Sequence, residues 1–261
     1  MLGAGLSPEE LNDDRLGRVL EQLWRHDLSA LFLKRSLTAV ERFGVEVKGV
    51  HLDSTSFAVE GEYAASAKEF ARPASEASER RPIQIKRGYW RDHRGDLKQF
   101  VIHLICSGDS GIPLFLSIAD GNQIDSQVFG ELMVAFAQQW NFGGIQVADA
   151  ALYTAANLKR MGSLQWVSRV PLTIGAASAV LDTIDPSAFV TSATVGYETS
   201  MVCHRYAGVN QHWVVVRSQK RRDRDLQQLE GKVNQAYLKA QSRLKVLQGQ
   251  SFDCPVYQSQ C

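Results

Sequence analysis

The interpretation of the fold depends on one stretch of the sequence, Val45-Glu-Val-Lys-Gly-Val-His-Leu-Asp-Ser-Thr-Ser-Phe-Ala-Val59. It is rich in valine and alternates in part between apolar and polar residues, which predicts a β-strand. Asp53 stands inside this strand, where a carboxylate is costly unless it is paired or binds a metal ion. Asp53 is therefore the first candidate for a functional residue.

The segments that follow this strand predict a mixed α/β sheet. Strands are predicted at 100–106, 112–118, 145–148 and 165–170, and helices at 125–140 and 154–161. The helical segments place apolar residues on one face, and the strands are short and apolar. The order of three strands, helix, strand, helix and strand predicts a ribonuclease-H-like fold, in which helices flank a mixed sheet.

The flanking segments divide the chain into three predicted parts. Helices are predicted at 16–24 and 28–43, so residues 1–44 form an N-terminal helical segment and 45–171 the core. After Pro171 the pattern changes to a short helix at 174–181, a strand pair at 199–207 and 212–216 joined by Gly208-Val-Asn210, and a long helix at 220–248. Leucine, valine and alanine residues in the long helix recur at steps of three and four, which is typical of a coiled coil or a helical hairpin. Residues 172–261 are therefore predicted to be a separate β/helical domain.

Composition excludes several classes of protein. With 44% hydrophobic and 22% charged residues, the 261-residue chain resembles an ordinary globular protein. Its net charge of +1 provides no global attraction for nucleic acid, so any DNA binding must come from local basic patches. The cysteines are widely spaced without a CxxC pair, which argues against a zinc knuckle or a disulfide framework. No signal peptide or membrane span is apparent, so we expect a cytoplasmic protein.

A second aspartate completes the candidate site. Asp149 directly follows the predicted strand 145–148, and ligands collect at the carboxyl ends of strands in α/β sheets. If the two strands are neighbours, Asp53 and Asp149 reach one point, and a divalent cation would remove their mutual repulsion. Carboxylate oxygens suit magnesium, and a pair of such ions can stabilise both reacting oxygens of a phosphodiester. The alternative is that Asp53 ends a strand and Asp149 caps the next helix.

A basic segment between Arg80 and Lys98 is the candidate DNA contact. It holds seven Lys or Arg residues against two acids, with Tyr89 and Trp90 interleaved. Cations neutralise phosphates, and aromatic rings can stack on unpaired bases. The predicted DNA-binding residues are Arg87, Arg91, Arg94, Lys98, Tyr89 and Trp90. The alternative is a solvated hairpin whose aromatic rings pack on the sheet.

Several motifs, in a fixed order, carry a resemblance to a known family. They are His51-Leu-Asp-Ser-Thr-Ser-Phe57, Asp92-His-Arg-Gly-Asp-Leu-Lys-Gln-Phe100, Gly111-Ile-Pro-Leu-Phe115, Asp120-Gly-Asn122, Val147-Ala-Asp-Ala-Ala-Leu-Tyr153 and Val167-Ser-Arg-Val-Pro171. From about Leu11 to about Leu247 the chain resembles DDE transposases of bacterial insertion sequences. Within these, it is most similar to the group that carries an insertion domain before its last catalytic acid.

The resemblance implies fold, chemistry and partners together. It implies a ribonuclease-H-like core in which Asp53 and Asp149 are the first two family acids and bind Mg²⁺ or Mn²⁺. The implied activity is metal-dependent hydrolysis of DNA at insertion-sequence ends, followed by strand transfer. The implied partners are double-stranded DNA, both transposon ends and target, and a second copy of the chain as a homodimer. Residues 172–261 would then belong to the insertion domain.

The third family acid has no match in the sequence. It is a Glu in a Tyr-x2-Arg-x3-Glu-x6-Lys arrangement, and neither Tyr197 nor Tyr237 is followed by the required Arg. The resemblance therefore implies a truncated copy that is unable to transpose alone. Two alternatives remain: a non-catalytic fragment that binds DNA or dimerises and thereby inhibits the intact transposase, and a nuclease on the same fold.

Overall fold

The two N-terminal helices begin where the sequence supplies a cap. The computed structural model describes residues 12–63, 82–88, 95–162 and 164–250. The side chain of Asn12 accepts a hydrogen bond from the Arg15 amide at 2.9 Å and starts α1 (Asp13–Arg25). Helix α2 (Leu28–Arg42) ends before Gly44, whose φ of 61° is the left-handed geometry that stops helices. Both predicted N-terminal helices are confirmed.

A five-stranded mixed sheet forms the centre of the first unit. Its strands are β1 (Gly49–Val59), β2 (Lys98–Ser107), β3 (Pro113–Ala119), β4 (Ile145–Ala148) and β5 (Trp166–Ser168). Their order is β3-β2-β1-β4-β5, with β2 antiparallel to β1 and β3, and β4 parallel to β1 and β5. This is the ribonuclease-H-like arrangement that the order of elements predicts, and that prediction is confirmed.

Helices and apolar strand positions bury one face of this sheet. Helices α3 (Asp125–Trp140) and α4 (Ala155–Met161) contribute to one core cluster with α2 and with the strands. Side chains in a strand alternate between the two faces of a sheet. The core residues of β1 and β2 therefore lie at alternate positions of β1 and at the β2 positions paired with them. Phe129 and Phe136 of α3 are among the most deeply buried side chains.

The opposite face of the sheet remains exposed in the described part of the chain. Asp53 lies on this face, and its pairing partner on β2 is Leu104. Ile118, Ile145 and Val167 are between 43% and 54% exposed. Parallel strands are normally covered on both faces, so this surface is unusually open. The candidate site therefore lies on the solvent-accessible side of the sheet.

In the described part of the chain, a second compact unit consists of Ala179–His204 and residues 210–250, whereas Arg205–Val209 group with the first unit. After α5 (Gly175–Thr183), strands β6 (Val190–Thr191), β7 (Tyr197–Tyr206) and β8 (Val209–Ser218) form a small sheet. Helix α6 (Gln219–Gln248) then runs for 30 residues with none of its side chains buried. The long helix agrees with its predicted span, whereas β6 is too short to leave a pattern in the sequence.

The β7–β8 turn lies one residue earlier than predicted. The sequence predicts a connection through Gly208-Val-Asn210, but Val209 already belongs to β8. The turn is Ala207-Gly208, with φ values of 54° and 82°. Positive φ at both central residues is the geometry whose twist matches the two strands of a tight hairpin. Elsewhere, none of the described helices is long and apolar enough to cross a membrane.

Candidate metal centre

Asp53 projects from the middle of β1 onto the exposed face of the sheet. The strand alternates between buried and exposed positions from Val50 to Thr55, with Leu52 and Ser54 buried and Asp53 exposed. Exposure explains how a strand can carry this carboxylate, because the charge stays hydrated. One carboxylate oxygen accepts a hydrogen bond from the amide of Ser54 at 2.8 Å. This local bond restricts the orientation of the Asp53 side chain.

Asp149 stands directly after β4, where the chain leaves the sheet. Its side chain accepts a hydrogen bond from the Ala151 amide at 2.8 Å and caps the short 3₁₀ turn Ala150–Leu152. Its backbone carbonyl accepts a hydrogen bond from the Ser168 hydroxyl of β5 at 2.7 Å. The capping geometry of the alternative interpretation is thus present, and the side chain is also exposed to solvent.

The parallel register of β1 and β4 brings the two aspartates to neighbouring positions. Leu52 is paired with Ala148, so Asp53 and Asp149 are the next residues on adjacent chain segments. Neighbouring strands lie about 4.8 Å apart, which places both carboxylates at the carboxyl edge of the parallel pair. Neither carboxylate forms an ion pair with another residue in the described ranges. A cation bound between the two carboxylates would offset the repulsion of their charges.

The donor set fits a hard divalent cation. Both groups offer carboxylate oxygens, the ligands that magnesium and manganese prefer, and exposure leaves room for the waters that magnesium retains. In the part of the chain that the structure describes, no cluster of three or more His, Cys, Asp or Glu side chains could hold a metal ion. The candidate site therefore offers two carboxylates, those of Asp53 and Asp149, from the described segments. Their roles as metal ligands remain a prediction.

A buried polar group lies on the other face of β1. The Ser54 hydroxyl donates a hydrogen bond to the Asp125 carboxylate at 2.6 Å, linking β1 to the first turn of α3. The β2 partner of Ser54 is His103, which is 2% exposed and has no hydrogen-bond partner for either ring nitrogen among the described residues. Burial lowers the pKa of His103, and the nearby Asp125 charge opposes that shift. Sequence analysis missed this group, because its members are far apart in the chain.

The predicted DNA-contact segment is described only in part. Tyr89, Trp90, Arg91 and Arg94 lie outside the described residues. Arg87 is exposed, whereas the ammonium of Lys98 donates a hydrogen bond to the Tyr63 carbonyl at 3.0 Å. Lys86, next to Arg87, is bridged to Gln99 at the edge of β2. DNA contact by this segment therefore stays a prediction.

A second basic run lies at the start of α6 and comprises Arg217, Lys220, Arg221, Arg222 and Arg224; two of its residues have local partners. Arg217 contacts Glu198 at 3.2 Å and covers the Phe189 ring at 3.9 Å from its centroid. Arg221 lies 3.6 Å from Asp225, one helical turn further on. These contacts favour a solvated helix end over a phosphate site.

Comparison with known proteins gives only distant matches. No protein-family model and no curated protein matches the chain. The Mos1 transposase paired-end complex with left transposon end matches at 11% identity and a TM-score of 0.29, over 69% of this chain and 53% of that one. The Mos1 mariner paired end complex with Mn matches at 13% identity and a TM-score of 0.28, over 64% of this chain and 46% of that one. The catalytic domain of Mos1 mariner transposase matches at 7% identity and a TM-score of 0.28, over 69% of this chain and 78% of that one.

The chain spans about half the length of the first two of these proteins. Superpositions with TM-scores this low carry no argument about function. The fold assignment rests on the strand order and register described above, and the chemistry rests on the residues at the sheet edge.

Proposed function

We propose that this chain is the metal-binding core of a DDE-type transposase and that Asp53 and Asp149 hold Mg²⁺ or Mn²⁺. The observation that carries the proposal is the β1–β4 register, in which Leu52 pairs with Ala148 and the two aspartates come next. The same two residues are the acids that the sequence motifs align with the transposase family. Motif and geometry therefore point to one place by independent routes.

In this proposal each carboxylate is oriented by the chain before a cation binds. The Ser54 amide holds one oxygen of Asp53, and the Ala151 amide holds one oxygen of Asp149. Bound cations would stabilise the charge on the attacking and leaving oxygens of a DNA phosphodiester. The aspartates would hold and space those ions, and the open sheet face would leave access for a DNA backbone.

The proposed partner is double-stranded DNA, at insertion-sequence ends and at a target. Supporting this, the segment from Arg80 to Lys98 concentrates positive charge in a chain whose net charge is only +1. Binding through Arg87, Arg91, Arg94 and Lys98 would weaken steeply with salt, because each neutralised phosphate releases counterions. Tyr89 and Trp90 are proposed to stack on unpaired bases.

A specific observation also favours a second candidate, a non-catalytic fragment that binds DNA or dimerises. Within the described ranges, the site has only two acids. In addition, α6 exposes an apolar stripe, of which Leu226, Leu229, Val233 and Leu244 are 48% to 58% exposed. A second copy of the chain could cover that stripe. Such a fragment would bind DNA without cleaving it and would inhibit the intact enzyme.

Manganese binding tests the metal site directly. We expect titration of the full chain with Mn²⁺, followed by electron paramagnetic resonance, to show saturable binding. Asp53→Asn and Asp149→Asn should each weaken that binding at least about tenfold, because each removes a charged ligand. Asp182→Asn, a change of an exposed aspartate in α5, is the matched control and should leave the affinity unchanged. Equal Mn²⁺ affinity in the wild type and both site variants would remove these residues from the proposal.

A cleavage assay separates the two candidate functions. Supercoiled plasmid carrying the DNA that flanks the coding sequence is incubated with Mn²⁺ and the chain, beside a plasmid of unrelated sequence. Nicking at the flanking sequence that requires both aspartates supports the transposase. Salt-sensitive DNA binding without nicking supports the non-catalytic fragment. Nicking of both plasmids at equal rates supports a nuclease on the same fold.

A further inference from the structure

The first turn of α3 touches both segments that carry the candidate metal ligands. Asp125 is the first residue of the helix and accepts the 2.6 Å hydrogen bond from Ser54, the residue after Asp53. Ser126, the second residue, accepts a 2.9 Å hydrogen bond through its carbonyl from the Asn157 side chain of α4. Helix α4 follows the short turn that Asp149 caps. One helical turn thus links the Asp53 strand to the Asp149 turn.

The Ser54 link constrains Asp53 through a single residue. The amide of Ser54 donates to the Asp53 carboxylate at 2.8 Å, while its hydroxyl donates to Asp125 on the other side of the sheet. Ser54 is 7% exposed, so its hydroxyl has little access to water as an alternative partner. A hydrogen bond to a charged acceptor is also stronger than a neutral one. The backbone that orients Asp53 is therefore tied to α3.

The Asn157 link constrains the Asp149 side in a comparable way. Asn157 is 1% exposed. Its backbone amide donates a hydrogen bond to the Thr154 hydroxyl at 3.2 Å, and this bond caps α4. Gly130 of α3 lies against it so closely that an added Cβ would stand 2.8 Å from the Asn157 side-chain oxygen. The two helices are thus in contact at backbone distance next to the hydrogen bond. This contact restricts movement of α4, and of the turn that connects it to Asp149, relative to α3.

We propose that the first turn of α3 is a spacer that sets the separation of Asp53 and Asp149, with Ser54, Asp125 and Asn157 as positioning residues. This inference rests on the proposed function of the two aspartates as metal ligands. The three positioning residues act through hydrogen bonds, and none of their side chains is a proposed ligand of the cation. Groups that support metal ligands in this way typically change metal affinity by about 10- to 100-fold.

The test compares Mn²⁺ affinity with thermal stability in matched variants of the full chain. Ser54→Ala and Asn157→Ala should each lower Mn²⁺ affinity about tenfold while the chain remains folded. Ser29→Ala is the matched control, because the Ser29 hydroxyl makes an equally long-range bond, 2.7 Å to the Leu116 carbonyl, between α2 and β3. It should lower the melting temperature to a similar extent and leave Mn²⁺ affinity unchanged.

Two further variants separate positioning from general destabilisation. Asp125→Asn keeps an acceptor oxygen for Ser54 and should retain most of the Mn²⁺ affinity, whereas Asp125→Ala should lose it. The effects of Ser54→Ala and Asp125→Ala on Mn²⁺ affinity should not add, because both variants remove the same Ser54–Asp125 hydrogen bond. If Ser54→Ala binds Mn²⁺ as tightly as Ser29→Ala does, the spacer proposal is overturned.

The aspartate variants keep the two proposals distinguishable. If Asp53→Asn and Asp149→Asn weaken Mn²⁺ binding but the spacer variants do not, only the spacer inference fails. If the aspartate variants themselves bind Mn²⁺ as the wild type does, the proposed metal site fails, and the spacer inference falls with it.

Discussion

Replacing Gly130 by alanine is expected to destabilise the protein, although alanine is the better helix former. In an open helix interior this substitution would contribute about 1 kcal/mol of stability. At Gly130, however, the new Cβ would stand 2.8 Å from the side-chain oxygen, 2.9 Å from Cβ and 3.0 Å from Cα of Asn157. Two of these three atoms belong to the base of the residue rather than to a flexible end. Helix α4 must therefore shift as a whole.

The size of the effect follows from opposing contributions. Overpacking of a filled interior costs about 1–3 kcal/mol. If the shift also breaks the Asn157–Ser126 hydrogen bond, a buried amide loses its partner at a cost of about 1–3 kcal/mol. After subtraction of the gain in helix propensity, we expect a net loss of about 2 kcal/mol. For a chain of this size, that corresponds to a fall in melting temperature of about 4–8 °C.

Circular dichroism during thermal and urea unfolding provides the measurement. The matched control is Gly17→Ala in α1, where nothing lies within 4 Å of an added Cβ. That variant should be as stable as the wild type or slightly more stable. A Gly130→Ala protein that melts at or above the wild-type temperature would refute the close contact between α3 and α4, and with it part of the argument for the spacer.

Further predictions concern His103, two cysteines and Arg87. Burial lowers the pKa of His103, so below about pH 6.5 the unfolded chain binds more protons than the folded one, and stability should fall as the pH decreases through that range. His103→Leu should flatten this pH dependence in urea unfolding measured at a series of pH values; an unchanged slope would contradict the assignment. Burial also raises the pKa of Cys106, whereas Cys203 is exposed. Brief iodoacetamide treatment followed by peptide mass spectrometry should therefore find Cys203 modified before Cys106. Earlier labelling of Cys106 would contradict the burial of its thiol. Arg87→Ala should reduce the salt dependence of DNA binding by about one phosphate contact, and an unchanged slope would remove Arg87 from the DNA interface.

Local sequence patterns predicted most of the elements in the first unit. Helix α3 and strand β4 have the bounds that periodicity and apolar runs predict, because both signals arise from residues close together in the chain. Strand β1 was predicted from Val45 but begins at Gly49, where its pairing with β4 starts. A strand boundary depends on its partner, and the partner lies about a hundred residues away.

The buried polar group behind the site was beyond reach of local patterns for the same reason. Ser54 and Asp125 are separated by 71 positions, and no periodicity links them. A buried histidine normally has its hydrogen bonds satisfied, yet both ring nitrogens of His103 are buried without a partner among the described residues. Side-chain hydrogen bonding of this kind is decided by tertiary packing, which a single sequence does not specify.

The capping and metal-binding interpretations of Asp149 make different predictions for one pair of substitutions. Asparagine caps helices as well as aspartate does, whereas alanine costs about 1 kcal/mol at such a position. If Asp149 only caps the turn through its bond to Ala151, Asp149→Asn should preserve both stability and Mn²⁺ affinity. If it also binds a cation, Asp149→Asn should preserve stability but lose affinity, because an amide oxygen carries no charge. The two roles are compatible, since a carboxylate with one oxygen held by an amide still has acceptor capacity for a cation. Asp149→Ala should lose both properties, and a stable Asp149→Asn protein with wild-type Mn²⁺ affinity would leave Asp149 as a cap alone.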